Sequence, residues 1–228
     1  RKGKEMLRAE GLITAELEEK ELLLRGVHHQ AKSNLDNVIT LLGMQQQAKG
    51  KLLGHQGLSA AALSALENRI KPMALVHEQM YQSGDVSSVD CQEYLNALVS
   101  HLRVSMNVAS DIICNVNATG IALKPETAIP VGMIVNELAT NAFRYAFPKN
   151  QPCCGNDRCE ITVSLERINN EYTLAVDDNG IGLPKGYNSK STLGLQLVKH
   201  LTMEQLGGKM TLNRTHGTRF ALKFNVNQ

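Results

Sequence analysis

The chain has 228 residues, 43% of them hydrophobic and 20% charged, and its formal net charge is +2. That balance suits one or two packed domains with an ordinary charged surface, and it excludes a strong electrostatic pull toward nucleic acid or an anionic membrane. No stretch approaches the roughly 18–20 apolar residues of a membrane helix and no signal-peptide pattern stands at the start, so neither nucleic acid nor membrane contact is expected of this fragment.

The chain opens Arg1-Lys2-Gly3-Lys4 without an initiator Met and reads as a piece of something longer. From Lys4 to Lys49 there is no Pro and little Gly. Leu24, His28, Ala31, Leu35, Val38 and Leu42 recur every three or four residues, which predicts one apolar helix face. Gly50, Gly54 and Gly57 break the pattern. A second helix is expected over Ser59 to Gln82, with Ala62, Leu66, Ile70 or Met73, and His77 or Met80 as its stripe. Pro72 falls inside it and should kink or divide it. Two such helices joined by a short Gly-containing loop make an antiparallel hairpin. One hairpin leaves half of each stripe uncovered, so a homodimeric four-helix bundle is the natural completion.

Ser83-Gly84-Asp85 ends the hairpin, and the pattern changes. Asp90 to Met106 is predicted helical with Asp90 as N-cap. Ile112 to Val116 reads as a short strand. Pro130 to Phe147 reads as a helix with Pro130 in its first turn. Glu160 to Glu166 and Tyr172 to Asp177 read as strands joined at Asn169-Asn170. Gly194 to Leu206 is predicted helical and closed by Gly207-Gly208. Lys209 to Asn213 and Thr218 to Val226 form a last hairpin around His216-Gly217. The expected fold is α+β: a helical hairpin over residues 1–84, then an α/β sandwich over 85–228 with helices on one face of a mixed sheet. The five cysteines are odd in number and lack framework spacing, which suits a reducing, cytoplasmic setting. Cys153, Cys154 and Cys159 crowd a Pro/Gly/Asn-rich loop. With no fourth zinc ligand evident, that loop reads as a surface insertion more readily than as a metal or redox site.

Four stretches carry chemistry. Asp177-Asp178-Asn179-Gly180-Ile181-Gly182 follows an apolar strand; its glycines let backbone approach a ligand, and a fixed carboxylate there accepts from an exocyclic amine such as that of adenine. By itself it is equally a tight turn. Asn136-Glu137-Leu138-Ala139-Thr140-Asn141 sets Glu137 and Asn141 on one helix face, with Arg144 beyond and Tyr145 next to it. A carboxylate, an amide oxygen and a cation so grouped suit a Mg-triphosphate. The same residues also make an ordinary solvated face opposite Ile134, Leu138, Ala142 and Ala146. Leu193-Gly194-Leu195 opens a helix, where free backbone N–H groups bind anions. Gly217-Thr218 stands in the last hairpin.

In this order the four stretches resemble the ATP-binding fold shared by gyrase, Hsp90, MutL and the histidine kinases, from roughly Asp90 to the C-terminus. The resemblance implies that Asp178 binds adenine, that Asn141 coordinates Mg, and that Glu137 polarises a water or assists transfer. It also implies that Asn136, Arg144, Tyr145, Leu193, Leu195 and Thr218 line the nucleotide site, that Gly180, Gly182 and Gly194 shape it, and that Leu183 to Thr192 form a short lid. Upstream, Gly26-Val27-His28-His29-Gln30-Ala31-Lys32-Ser33-Asn34-Leu35 resembles the phosphoacceptor helix of the HisKA_2 histidine kinases, kin of the HWE kinases. Arg69 to Tyr81 resembles the second helix of that family.

The family pattern makes His29 the phosphoacceptor, with His28 the second choice. Helix geometry agrees: His28 shares the Leu24–Ala31–Leu35 stripe, whereas His29 is rotated about 100° from it. A neutral imidazole nitrogen is a competent nucleophile near pH 7. Gly26 stands where the family has an acid, Gln30 replaces an Arg, and Ser33 replaces an Asn. Gly26 also weakens the helix by up to about 1 kcal/mol relative to Ala. The resemblance implies a histidine autokinase using ATP and Mg, a response-regulator receiver domain as partner, and a sensor upstream of this chain. An ATP-driven clamp of the gyrase or MutL type, and a weakly active phosphotransfer adaptor, are the alternatives.

Overall fold

In the computed structural model, residues 60–83, 87–148, 158–183 and 192–226 are described, all within one compact unit, Gly43–Gln228. The first predicted helix, with His28 and His29, lies outside the described residues. So do Cys153, Cys154 and residues 184–191.

Helix α1 (Ala60–Ser83) runs as a single helix of 24 residues with Pro72 inside it. Of the expected kink or division, the division does not occur. Pro72 is buried, and its carbonyl accepts a 3.1 Å hydrogen bond from the buried Tyr94 hydroxyl. Met73, Val76 and Met80 are buried on the same helix and His77 is exposed, so the stripe passes through Val76 rather than His77. Each such side chain contributes on the order of 1.5–3 kcal/mol when fully buried.

A two-residue strand β1 (Val89–Asp90) pairs antiparallel with β3 (Ala122–Leu123), a small sheet too short to leave a sequence signal. Helix α2 (Cys91–Ser105) starts at the expected cap, where the Asp90 carboxylate accepts from the Glu93 N–H at 2.9 Å. Strand β2 (Ile113–Asn117) follows. Helix α3 (Pro125–Tyr145) begins five residues earlier than expected: Pro125, not Pro130, occupies the first turn. Fourteen of its 21 residues are buried, the mark of a helix enclosed on nearly all sides. It touches the sheet through β4 and β5, and α1, α2 and α4 on its other sides.

Strands β4 (Glu160–Ile168) and β5 (Glu171–Asp178) form a hairpin through Asn169, whose φ of 57° is one Asn tolerates. Helix α4 (Leu193–His200) gives way to a π-helical turn, Leu201–Gln205, rather than continuing as α-helix to Leu206. The Gly208 N–H then closes it on the Thr202 carbonyl at 2.7 Å. Strands β6 (Lys209–Asn213) and β7 (Thr218–Asn225) complete a five-stranded sheet in the order β2-β4-β5-β7-β6. Only β2–β4 is parallel. Burial alternates along β4 and β7, so one sheet face packs on the helices and the other meets solvent. Cys159 is disulfide-bonded, which the odd cysteine count and irregular spacing do not signal; Cys91 and Cys114 are free. Among the described residues no helix is long and apolar enough to cross a membrane.

Candidate nucleotide site

Between α3, the start of α4 and the loop after β5 lies a cavity of about 480 Å3. Asn136, Glu137, Thr140, Asn141, Arg144 and Tyr145 face it from α3. Thr192, Leu193, Gly194 and Leu195 close it from α4, Ile181, Gly182 and Leu183 from the loop, and Phe220 from β7. A narrow slot of about 40 Å3 shares Asn141, Tyr145, Gly182, Leu183 and Phe220 with it and reaches Asp178, Val176 and Thr218. The site is thus wide at one end, where the polar side chains of α3 face it, and narrow at the other, where Asp178 stands.

Asp178 ends β5 at the floor of the slot. Its Oδ1 accepts from the Gly180 N–H at 3.0 Å and the Thr218 N–H at 3.2 Å. Burial pushes its pKa above the ordinary carboxylate value, against the lowering effect of these N–H groups and the Thr218 hydroxyl. These bonds fix the carboxylate, and the second oxygen is not engaged by them. A fixed carboxylate in an apolar slot is an acceptor matched to an aromatic amine. Gly180 itself lines neither space. It lies against Ala146, where a Cβ would collide with the carbonyl and methyl of that residue, and it ties the β5 loop to the end of α3. The neighbouring Asn179 is structural: its Oδ1 accepts from the Glu160 N–H at 2.8 Å, and its amide donates to the Arg158 carbonyl at 2.8 Å.

At the wide end the polar face of α3 is buried at Asn136 and Glu137, half-buried at Asn141 and exposed at Arg144. Asn136 is 2% and Glu137 7% exposed. The reason is α1, which covers this side of α3 and brings Arg69 into the cavity. Arg69 Nε donates to Glu137 Oε1 at 2.6 Å and Nη2 to Oε2 at 3.3 Å. Glu137 also fills the space beside Gly194, where any Cβ would strike its carboxylate. Among the described residues, Asn136 Oδ1 and Thr192 Oγ1 are buried without a hydrogen-bond partner, in a cavity both residues line. Orphaned buried acceptors carry a desolvation cost that a ligand donor or a cation relieves. The donor set fits a phosphate chain with a hard divalent cation: oxygens from Glu137, Asn141 and Asn136, and positive charge from Arg69 and Arg144.

Every expected nucleotide-site residue except Gly180 therefore lines the wide cavity or the slot. Sequence reasoning missed Arg69, Thr140 and Phe220. Thr140 stands within the stretch quoted for α3, and Phe220 two residues after Thr218, so both were within reach. Arg69 left no local signal.

Two family models match the chain. Residues 26–106 match the HisKA_2 model, described as histidine kinase. Residues 126–228 match the model of histidine kinase-, DNA gyrase B- and HSP90-like ATPases. The chain is similar to the sensor histidine kinase PdtaS of Mycobacterium tuberculosis, at 30% identity over 91% of this chain and 40% of the relative. It is also similar to blue-light-activated histidine kinase 2 of Erythrobacter litoralis, at 24% identity over 84% of this chain and 53% of that protein. The chain thus spans about two-fifths to half the length of these relatives. Among solved structures, the histidine kinase domain of the Erythrobacter litoralis EL346 blue-light-activated kinase matches with a TM-score of 0.61. It is 19% identical, over 84% of this chain and 93% of that one, a likeness of fold.

Proposed function

Since the chain belongs to the histidine kinases, carrying a HisKA_2 region followed by a histidine kinase-type ATPase domain, we propose that it binds Mg-ATP in the groove between Asp178 and Glu137 and phosphorylates His29. The observation that carries this reading is the groove's polarity: a fixed carboxylate in a slot at one end, and orphaned oxygens with two arginines at the other.

Adenine sits against Asp178 and Thr218, with Tyr145 beside it. The triphosphate runs toward α3 and the N-terminus of α4. Mg supplies charge neutralisation on the phosphate oxygens; Asn141 holds it, with Asn136 nearby, and Arg144 faces the phosphates. A neutral imidazole nitrogen of His29 attacks the terminal phosphorus in line. The bond to the β–γ bridging oxygen breaks, ADP leaves, and the ring, cationic after attack through its unprotonated nitrogen, gives up the one N–H proton on its other nitrogen. Glu137 is the carboxylate placed to assist. The phosphoramidate then passes its phosphoryl group to an aspartate of a response-regulator receiver domain. Residues 1–84 form the dimerising phosphotransfer module, which counts α1 with it functionally, and 85–228 the catalytic domain. Glu137 also permits a second reading, ATP hydrolysis that drives a conformational clamp.

The test is incubation with ATP labelled at the γ-phosphate. Acid-labile label on the protein, absent from His29→Ala and from Asn141→Ala, is the expected result. Label persisting in His29→Ala but lost in His28→Ala reassigns the acceptor. Phosphate release with no labelled protein sinks the kinase reading in favour of the clamp.

A further inference from the structure

Arg69 sits on a helix outside the ATPase-type domain match, yet its side chain is 13% exposed and lines the nucleotide cavity. Its only charged partner among the described residues is Glu137. The bonds to Glu137 use Nε and Nη2 and leave Nη1 without a protein acceptor among the described residues. Among the described residues, the cations that line this cavity are Arg69 and Arg144, and Arg144 is exposed. A triphosphate arriving here meets one screened cation and one desolvated one. The desolvated guanidinium interacts more strongly, because less water competes for it.

We propose that Arg69 is a phosphate-binding residue of the nucleotide site: Glu137 holds its guanidinium when the site is empty, and the terminal phosphate of ATP takes it over when the site is filled. The inference rests on the Mg-ATP reading above and extends it, since it makes α1 a contributor to the site. The exchange keeps the Arg69 guanidinium paired in both states. It also releases the Glu137 carboxylate from its counter-ion only when a phosphoryl group is present to be transferred. ADP lacks the terminal phosphate and leaves the Arg69–Glu137 pair intact.

Calorimetric titration of the chain with Mg-ATP and with Mg-ADP tests this. Arg69→Gln is expected to weaken ATP binding about tenfold, the size of one charge-assisted hydrogen bond, and to change ADP binding less than about twofold. Arg69→Lys keeps the charge without the fork and is expected to fall between. Should Arg69→Gln fail to fold with Glu137 left unpaired, the Arg69→Gln/Glu137→Gln pair replaces two charges with two amides. Glu137→Gln alone frees Arg69 and is expected to raise the preference for ATP over ADP. The double variant is expected to lose that gain. Equal weakening of ATP and ADP, or a gain that survives in the double variant, overturns the proposal and leaves Arg69 a structural latch. If the unaltered chain binds neither nucleotide, or if Asp178→Asn still binds both, the underlying Mg-ATP reading fails as well.

Discussion

Asp178 is a carboxylate that the fold holds at some expense. Burial raises its pKa, and the N–H groups of Gly180 and Thr218 recover only part of that. Below its ordinary value of 3.8 both folded and unfolded chains carry the proton. Between that value and the raised one, the unfolded chain ionises first, so stability declines as pH climbs through the window. At neutral pH the ionised side chain is a net cost. Asp178→Asn is therefore expected to leave the thermal midpoint unchanged or higher while abolishing nucleotide binding. In the unaltered protein, nucleotide affinity is expected to fall on acidification at a higher pH than an ordinary carboxylate would give, as read by calorimetry across pH. Gly194 carries the opposite lesson. A methyl group there meets the Glu137 carboxylate, which cannot withdraw without breaking its bonds to Arg69. Gly194→Ala should cost roughly 1–3 kcal/mol, typical of overpacking, visible as a lower urea midpoint, and should reduce phosphoryl transfer further by moving Glu137.

At the scale of elements, the junction of α1, α2 and α3 is organised by one phenol. Tyr94 is 2% exposed, donates to the Pro72 carbonyl of α1, and lies so close to Gly132 of α3 that no side chain fits between them. Tyr94→Phe removes the hydroxyl's bond and leaves the Pro72 carbonyl with its helical partner alone, a loss of about 0.5–1.5 kcal/mol. Amide exchange in α1 is expected to rise more than exchange in the β4–β5 hairpin. How far each element was legible in the sequence follows from how local its causes are. The Asp90 cap, the Asn169 turn and the alternation in β7 are local, and they were read within a residue or two. The start of α3 was not, because Pro125 and Pro130 both suit a first turn, and a helix buried all round shows no clean apolar face. The π-helical turn after His200 buries Leu201 and Leu206 much as a continued α-helix would, so periodicity alone cannot register it. In the site, residues clustered on α3 and after β5 announce themselves by spacing. Arg69 stands 68 positions from Glu137 and enters the site only because α1 packs on α3.

For the whole molecule, the face of α1 from Pro72 to Met80 is covered by the catalytic domain. A helical bundle between two copies must then draw on residues before Pro72, including the Leu24–Leu42 stripe. Leu35→Glu, in the middle of that stripe, is expected to convert a dimer to a monomer in light-scattering measurements, with nucleotide affinity followed in parallel by calorimetry. A dimer that survives this change would place the interface elsewhere. The chain contains no tryptophan and only five tyrosines, so its near-ultraviolet spectrum is a tyrosine spectrum. Tyr94 is among the few chromophores, buried and hydrogen-bonded to α1 itself. If helix α1 moves when nucleotide binds, that bond loosens, and the second-derivative absorbance of the protein records the movement with no label attached.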